Sequence, residues 1–395
     1  MPRECELGAM SRTLPAYNFQ QYVRTASVDV ESSTAESLTR ATEARTAPFA
    51  ATEQVLVVTP CVPNGLPTQG SVIARRLRQE GLQVALLSRA RTSVGRVLDV
   101  FVRCGWLTAR SRFVLVDVFA ERAFVYESFA ILCAALLRRR VVVMLHSGIL
   151  PNFVKRWPRW TKFILSRADV VLTPHGFLRE RLSEAGIRVD GTIPNFIELA
   201  QYPHRTRSLV TARFLYLRGM DPLYNPEMAL RAFALIQARH PGASMTMAGP
   251  DGADSSRCRA LVAELGVRNV RFVGIVSKEE IPALADQHDI HLHTNRFDNM
   301  PVTIIEMWAC GLPIVATRVG GMPHLVRDGE DAILVPSQDH QAMAQACLEL
   351  LSNPQEAARL SANGRARAEE FTWQHVRPMW EQALFGARRP VDQSA

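Results

Sequence analysis

The chain has 395 residues, 47% hydrophobic and 21% charged, with a formal net charge of +8. That is the profile of a globular protein of two or three domains, not of a disordered or collagenous one. No stretch reaches the ~18 consecutive apolar residues that a membrane-spanning helix needs.

Residues 1–50 are rich in Ser, Thr, Ala and Glu and carry no apolar period. They lack the apolar core of a secretory signal and are expected to form a disordered tail. Order is expected to begin at Gln54–Thr59, a short β-branched run suited to a strand buried on both faces. A Pro/Gly-rich loop follows from Pro60 to Gly70, then a helix over Ser71–Gly81 and a strand over Gln83–Leu87. Further strands are predicted at Phe113–Val118, Val141–Leu145 and Val170–Leu172, with helical stretches between them. The alternation restarts after Tyr202-Pro203. Strands are predicted at Phe214–Leu217, Ser244–Ala248, Val270–Val273, Ile290–His293 and Ile314–Thr317. Helices are predicted at Pro226–Ala238, Arg257–Leu265 and Val302–Cys310. The pattern implies two doubly wound α/β halves, with ligands beyond the carboxyl ends of the strands, in the cleft where the halves face each other.

The seven cysteines are scattered, without a C-x-x-C pair. This argues against a disulfide framework or a zinc cluster and points to a reducing cytoplasm. Only Lys155, Lys162 and Lys278 among the 46 basic residues are lysine. The arginine excess is equally explained by a GC-rich genome or by a preference for anionic surfaces.

The segment from Asn295 to Pro323 reads NRFDNMPVTIIEMWACGLPIVATRVGGMP. Pro301 suits a first helical turn. The free N–H groups of Met300, Val302 and Thr303, next to Asn299, would form an anion site suited to a diphosphate. Glu306, about one turn in, can face the same ligand, Asp298 can accept from a second sugar, and Gly320-Gly321 allows close backbone approach.

This segment resembles the E-x7-E signature of retaining glycosyltransferases of family 4, which have the GT-B fold of two Rossmann-like domains facing a central cleft. Asp298 and Glu306 keep the spacing, with Asp in place of the first Glu. Ala309, Gly311, Pro313–Thr317, Gly320, Gly321 and Pro323 also match. The resemblance implies ribose binding by Glu306 and donor-sugar contact by Asp298. It implies an Arg and a following Lys on the donor phosphates. Arg218 fits the first role, but Tyr224-Asn225-Pro226 stands where the Lys would be. On the acceptor side it implies a glycine loop at Gly70 and a catalytic His146 in His146-Ser-Gly148. His146 could share the proton of the attacking hydroxyl. His175 is expected to cap the next helix, and His291 and His293 have no third ligand that would suggest a metal.

The expected domains are an acceptor domain over 51–203, a nucleotide-sugar domain over 204–372, and a helix and tail over 373–395 that crosses back to the first domain. The implied activity is transfer of a sugar, with retention, from a nucleotide-sugar to a glycan or lipid-linked acceptor, without metal or other cofactor. The alternative is an inactive, nucleotide-binding or scaffolding relative. From Ser128 to Ala168 there is no Asp or Glu, whereas Arg138, Arg139, Arg140, Lys155, Arg156, Arg159, Lys162 and Arg167 interleave with Phe153, Trp157, Trp160 and Phe163. Residues 138–167 are therefore expected to rest on an anionic membrane surface, with Pro158 interrupting the helix. No motif supports a nucleic-acid partner.

Overall fold

The computed structural model describes residues 54–60, 68–87, 93–119 and 121–386. The tail expected over 1–50 lies outside them. The first half runs β1 (Gln54–Val58), α1 (Gln69–Gln79), β2 (Gln83–Leu87), α2 (Ser93–Arg110), β3 (Phe113–Val118) and α3 (Ala123–Leu136). It continues with β4 (Arg140–Leu145), α4 (Leu150–Arg156), α5 (Pro158–Leu165), β5 (Val170–Thr173), α6 (Gly176–Glu184) and β6 (Gly191–Thr192). All its strands are parallel, in the order β2-β1-β3-β4-β5-β6.

The second half runs β7 (Arg213–Leu217), α7 (Pro226–Arg239), β8 (Ser244–Ala248), α8 (Ser255–Glu264), β9 (Val270–Gly274), α9 (Ile281–Asp286) and β10 (Ile290–His293). Then come α10 (Val302–Ala309), β11 (Ile314–Thr317), α11 (Met322–Leu325), β12 (Ile333–Val335), α12 (His340–Ser352), α13 (Pro354–Glu369) and α14 (Trp373–Phe385). Its strand order is β12-β11-β10-β7-β8-β9, again parallel. The edge strands β6 and β12 escape the sequence pattern because two and three residues are too few to show a period.

Strand alternation explains the two cores of the first half. Leu56 and Val58 of β1 join the cluster under α2–α6, while Val55 and Val57 join the cluster on the other face. Trp373, Val376 and Trp380 of α14 belong to that second cluster, so the last helix packs on the first sheet. The chain crosses between the halves twice. The two crossings pair with each other, Ile197 donating its N–H to the Phe371 carbonyl at 2.9 Å. Arg207, 1% exposed, anchors the first crossing by donating to the carbonyls of Ala285, His288 and Cys310.

The helical pattern is interrupted at Pro158, as expected: α4 ends at Arg156, Trp157 leaves the helical region (φ −128°), and Pro158 opens α5, where its missing N–H costs no hydrogen bond. The basic segment is not one surface. Arg140 is 7% exposed and donates to the Ala383 carbonyl, and Phe153 and Trp160 pack against the first core.

Candidate active site

The carboxyl ends of the strands supply the side chains. On the second domain, β7 delivers Arg218, β10 delivers His293, and the loop to α10 carries Asn295, Asp298 and Asn299. On the first, β3 delivers Asp117 and Phe119, and β4 delivers His146. The halves touch here. Asn299 Nδ2 donates to the His146 carbonyl at 2.8 Å, and Asn195 Nδ2 to the Met300 carbonyl at 2.9 Å. Gly148 permits the contact, because a Cβ there would lie 2.0 Å from Phe297 Cε1.

Glu306 is 1% exposed yet borders two cavities. It accepts a hydrogen bond from the Tyr202 hydroxyl at 2.7 Å and an ion pair from Lys278. Burial and the Glu306 carboxylate raise the Tyr202 pKa well above its ordinary value, so this hydroxyl stays a donor. One cavity, of ≈ 210 Å³, lies inside the second domain among Arg218, Gly219, Tyr224, Val276, Lys278 and Thr303. The other, of ≈ 220 Å³, opens between the domains, with Gln69, Arg75 and Tyr202 facing Lys278, Val302 and Glu306. A larger cavity of ≈ 430 Å³ sits at the amino ends of β4 and β5 against α14, away from these groups.

Asp298 faces Arg218, its ion-pair partner, and accepts from Asn295 Nδ2 at 2.6 Å and from the Asn299 N–H at 2.9 Å, with His293 Nε2 at 3.5 Å. Burial alone would raise its pKa, but Arg218 and His293 hold it down at about 2. It lines neither cavity around Glu306; its visible role is to aim Arg218, which does line one. Burial lowers the pKa of His291 and His293, and His291 Nδ1 bonds the Leu215 carbonyl at 3.0 Å. No cluster of three or more potential metal ligands occurs among the described residues.

The predicted anion site is partly formed. Pro301 is the extended N-cap of α10, Thr303 lines the inner cavity and Val302 the outer. Met300 is packed away, its carbonyl and sulfur taken by Asn195. Asn225 is left-handed (φ 49°) and 5% exposed at the start of α7; Tyr224, not Asn225, borders the cavity. Gly320 and Gly321 make room for a protein contact. A Cβ on either would lie 2.1 Å from the Asp298 or Asn299 carbonyl oxygen, respectively.

His146 Nε2 lies 3.1 Å from Asp117 Oδ1, and its ring stacks on Phe119. Asp117 is fully buried, with its other oxygen unpaired. Gly70 makes room for it, since a Cβ there would lie 1.9 Å from Asp117 Oδ2. His175 does not cap α6 through its side chain. Its ring abuts Gly321 across the cleft with both nitrogens unpaired. Burial, reinforced by His324 and opposed by Asp298, pushes its pKa down to about 4.

Sequence reasoning missed Lys278, Tyr202 and Asp117. Asp117 had a signal, a lone acid in an apolar strand. Lys278 had none, because only the turn after β9 brings it to Glu306.

Residues 210–367 match the sequence family described as "Glycosyl transferases group 1". The chain is 33% identical over 171 residues to a D-inositol 3-phosphate glycosyltransferase of Acidothermus cellulolyticus, covering 41% of this chain and 38% of that protein. It is 24% identical over 249 residues to a glycogen synthase of Mycobacterium tuberculosis, covering 62% and 59%. The chain thus spans less than two thirds of the length of these relatives. Its fold is similar to a sucrose-phosphate synthase of Thermosynechococcus elongatus (TM-score 0.67, 17% identity, 84% of this chain and 98% of that one). It is also similar to Anabaena Alr3699/HepE solved with UDP-glucose (TM-score 0.65, 17% identity, 82% and 97%). The two parallel six-stranded sheets are those of the GT-B fold, and residues 210–367 match the sequence pattern of the group 1 glycosyltransferases.

Proposed function

We propose that the protein is a retaining glycosyltransferase that moves a sugar from a nucleotide-sugar to a hydroxyl of a glycan or lipid-linked acceptor. The observation that carries this reading is the meeting of Arg218, Lys278, Glu306 and the start of α10 around one cavity, with His146 across the domain contact. Departure of a nucleoside diphosphate needs stabilisation of growing negative charge. A guanidinium, an ammonium and helix N–H groups can provide it. Glu306 would accept from ribose hydroxyls once its present donors yield.

Lys278 supplies the cation that Tyr224-Asn225-Pro226 lacks. Among the described residues no side chain stands as an evident nucleophile, which suits attack from the face the diphosphate leaves. His146, oriented by Asp117, would take a share of the acceptor's proton. The lipid-linked acceptor is supported by the exposed basic residues within 138–167, which suit the inner face of a cytoplasmic membrane in polysaccharide or glycolipid assembly. No helix among the described residues is long and apolar enough to cross a membrane.

The test is calorimetric titration with a panel of nucleotide-sugars and nucleoside diphosphates, beside Glu306→Ala. Saturable binding of one nucleotide-sugar, lost in the variant, is expected. A folded protein that binds none of the panel refutes the donor site.

A further inference from the structure

The first domain carries an apolar surface that sugar transfer does not use. α2 buries Val100, Cys104 and Leu107 in the core. Its other side leaves Phe101, Val102 and Trp106 in solvent, at 45%, 77% and 59% exposure. A surface helix ordinarily turns polar residues outward. α3 packs beside it through Phe101 and Phe129, ring centroids 4.3 Å apart, and adds exposed Leu132 and Leu136. α5 packs on α3 through Trp160 and Phe124, at 4.9 Å, and adds exposed Phe163, with exposed Trp157 just before it. Contiguous exposed apolar side chains of this kind mark an interaction surface.

The charges name the partner. Arg110 lies over the Trp106 ring at 4.5 Å, Arg167 over Phe163 at 4.7 Å, and Arg156 over Trp157 at 5.8 Å. Three exposed rings each carry a guanidinium, so basic and aromatic side chains share this face, the composition of a helix surface that lies at an anionic interface. A second copy docked face to face would oppose these cations to one another, with no Asp or Glu between Ser128 and Ala168 to receive them. We propose that the α2–α3 face, flanked by α5, inserts into the headgroup region of an anionic lipid bilayer. Trp106, Leu132 and Leu136 lie in the last turns of α2 and α3, which run back toward the amino ends of β3 and β4, so the bilayer would lie along the helical layer of the first domain. This rests on the membrane element of the proposed function, and it moves the centre of contact from residues 138–167 to α2 and α3.

The experiment is flotation of the full chain with phosphatidylcholine vesicles and with mixed phosphatidylcholine–phosphatidylglycerol vesicles. Binding to the mixed vesicles is expected, and it should weaken as salt rises. The exposed-site variant Val102→Ser/Trp106→Ser/Leu136→Ser should lower partitioning about tenfold or more. Lys155→Gln/Lys162→Gln should lower it less. Calorimetric UDP binding, measured on each protein, reports the cleft separately and should be unchanged in the variants. Failure of the parent to float, or equal flotation of the triple variant, overturns the proposal. A dimer in light scattering that the triple variant dissociates overturns it in favour of self-association.

Discussion

Replacing Lys278 with Met keeps the aliphatic stem and removes the ammonium from Glu306. Losing one member of a fully buried ion pair costs about 3–5 kcal/mol, and of an exposed pair about 0–1 kcal/mol. Here the Glu306 side chain is 1% exposed and that of Lys278 26%, and the Tyr202 hydrogen bond survives. The expected loss therefore falls between those limits, about 1–2 kcal/mol. At ~2–4 °C per kcal/mol for a domain of this size, the melting temperature should fall by about 2–8 °C. The same ammonium borders the cavity that holds Arg218, where a charge-assisted hydrogen bond to a diphosphate contributes about 1.5–3 kcal/mol. Binding of UDP should then weaken about 10- to 150-fold, while binding of uridine changes far less. Calorimetry with both probes, beside Lys278→Arg, separates the roles. Equal losses for UDP and uridine would show that Lys278 only balances Glu306. An unchanged melting temperature would show that the pair contributes nothing in solution.

Two further outcomes follow from the cleft. His175 is neutral when folded, with its pKa held at about 4 against an ordinary value near 6.5. The unfolded chain therefore binds more protons between these pH values, and stability should fall by about 3 kcal/mol as pH drops from about 6.5 to about 4. His175→Phe should flatten that part of a melting-temperature profile; an unchanged slope would assign the acid sensitivity elsewhere. Gly148→Val would drive a Cβ to 2.0 Å from Phe297 and break the contact of Asn299 with His146. Sugar transfer should drop at least about tenfold while each domain's own core keeps the chain folded, and undiminished transfer would show that this contact is not part of the active geometry.

The two sheets are legible in the chain alone, because buried parallel strands such as Val141–Leu145 and Ile314–Thr317 are continuous apolar runs that local chemistry can mark. So are α10, with Pro301 ahead of it, and the placement of Arg218, His146 and Asp298 at or near strand ends, because these are short-range relations. What those residues face is set by long-range packing. Asp298 turns to Arg218, Gly70 yields its Cβ space to Asp117, and Gly321 yields its own to His175 and the Asn299 carbonyl. Glu306 finds Tyr202, 104 residues earlier, and Lys278, 28 residues earlier. Partners at such separations share no period and no turn. They meet because β9 and the Ile197–Thr372 crossing bring distant loops to one end of two sheets, and burial then leaves each charge only the partner within reach.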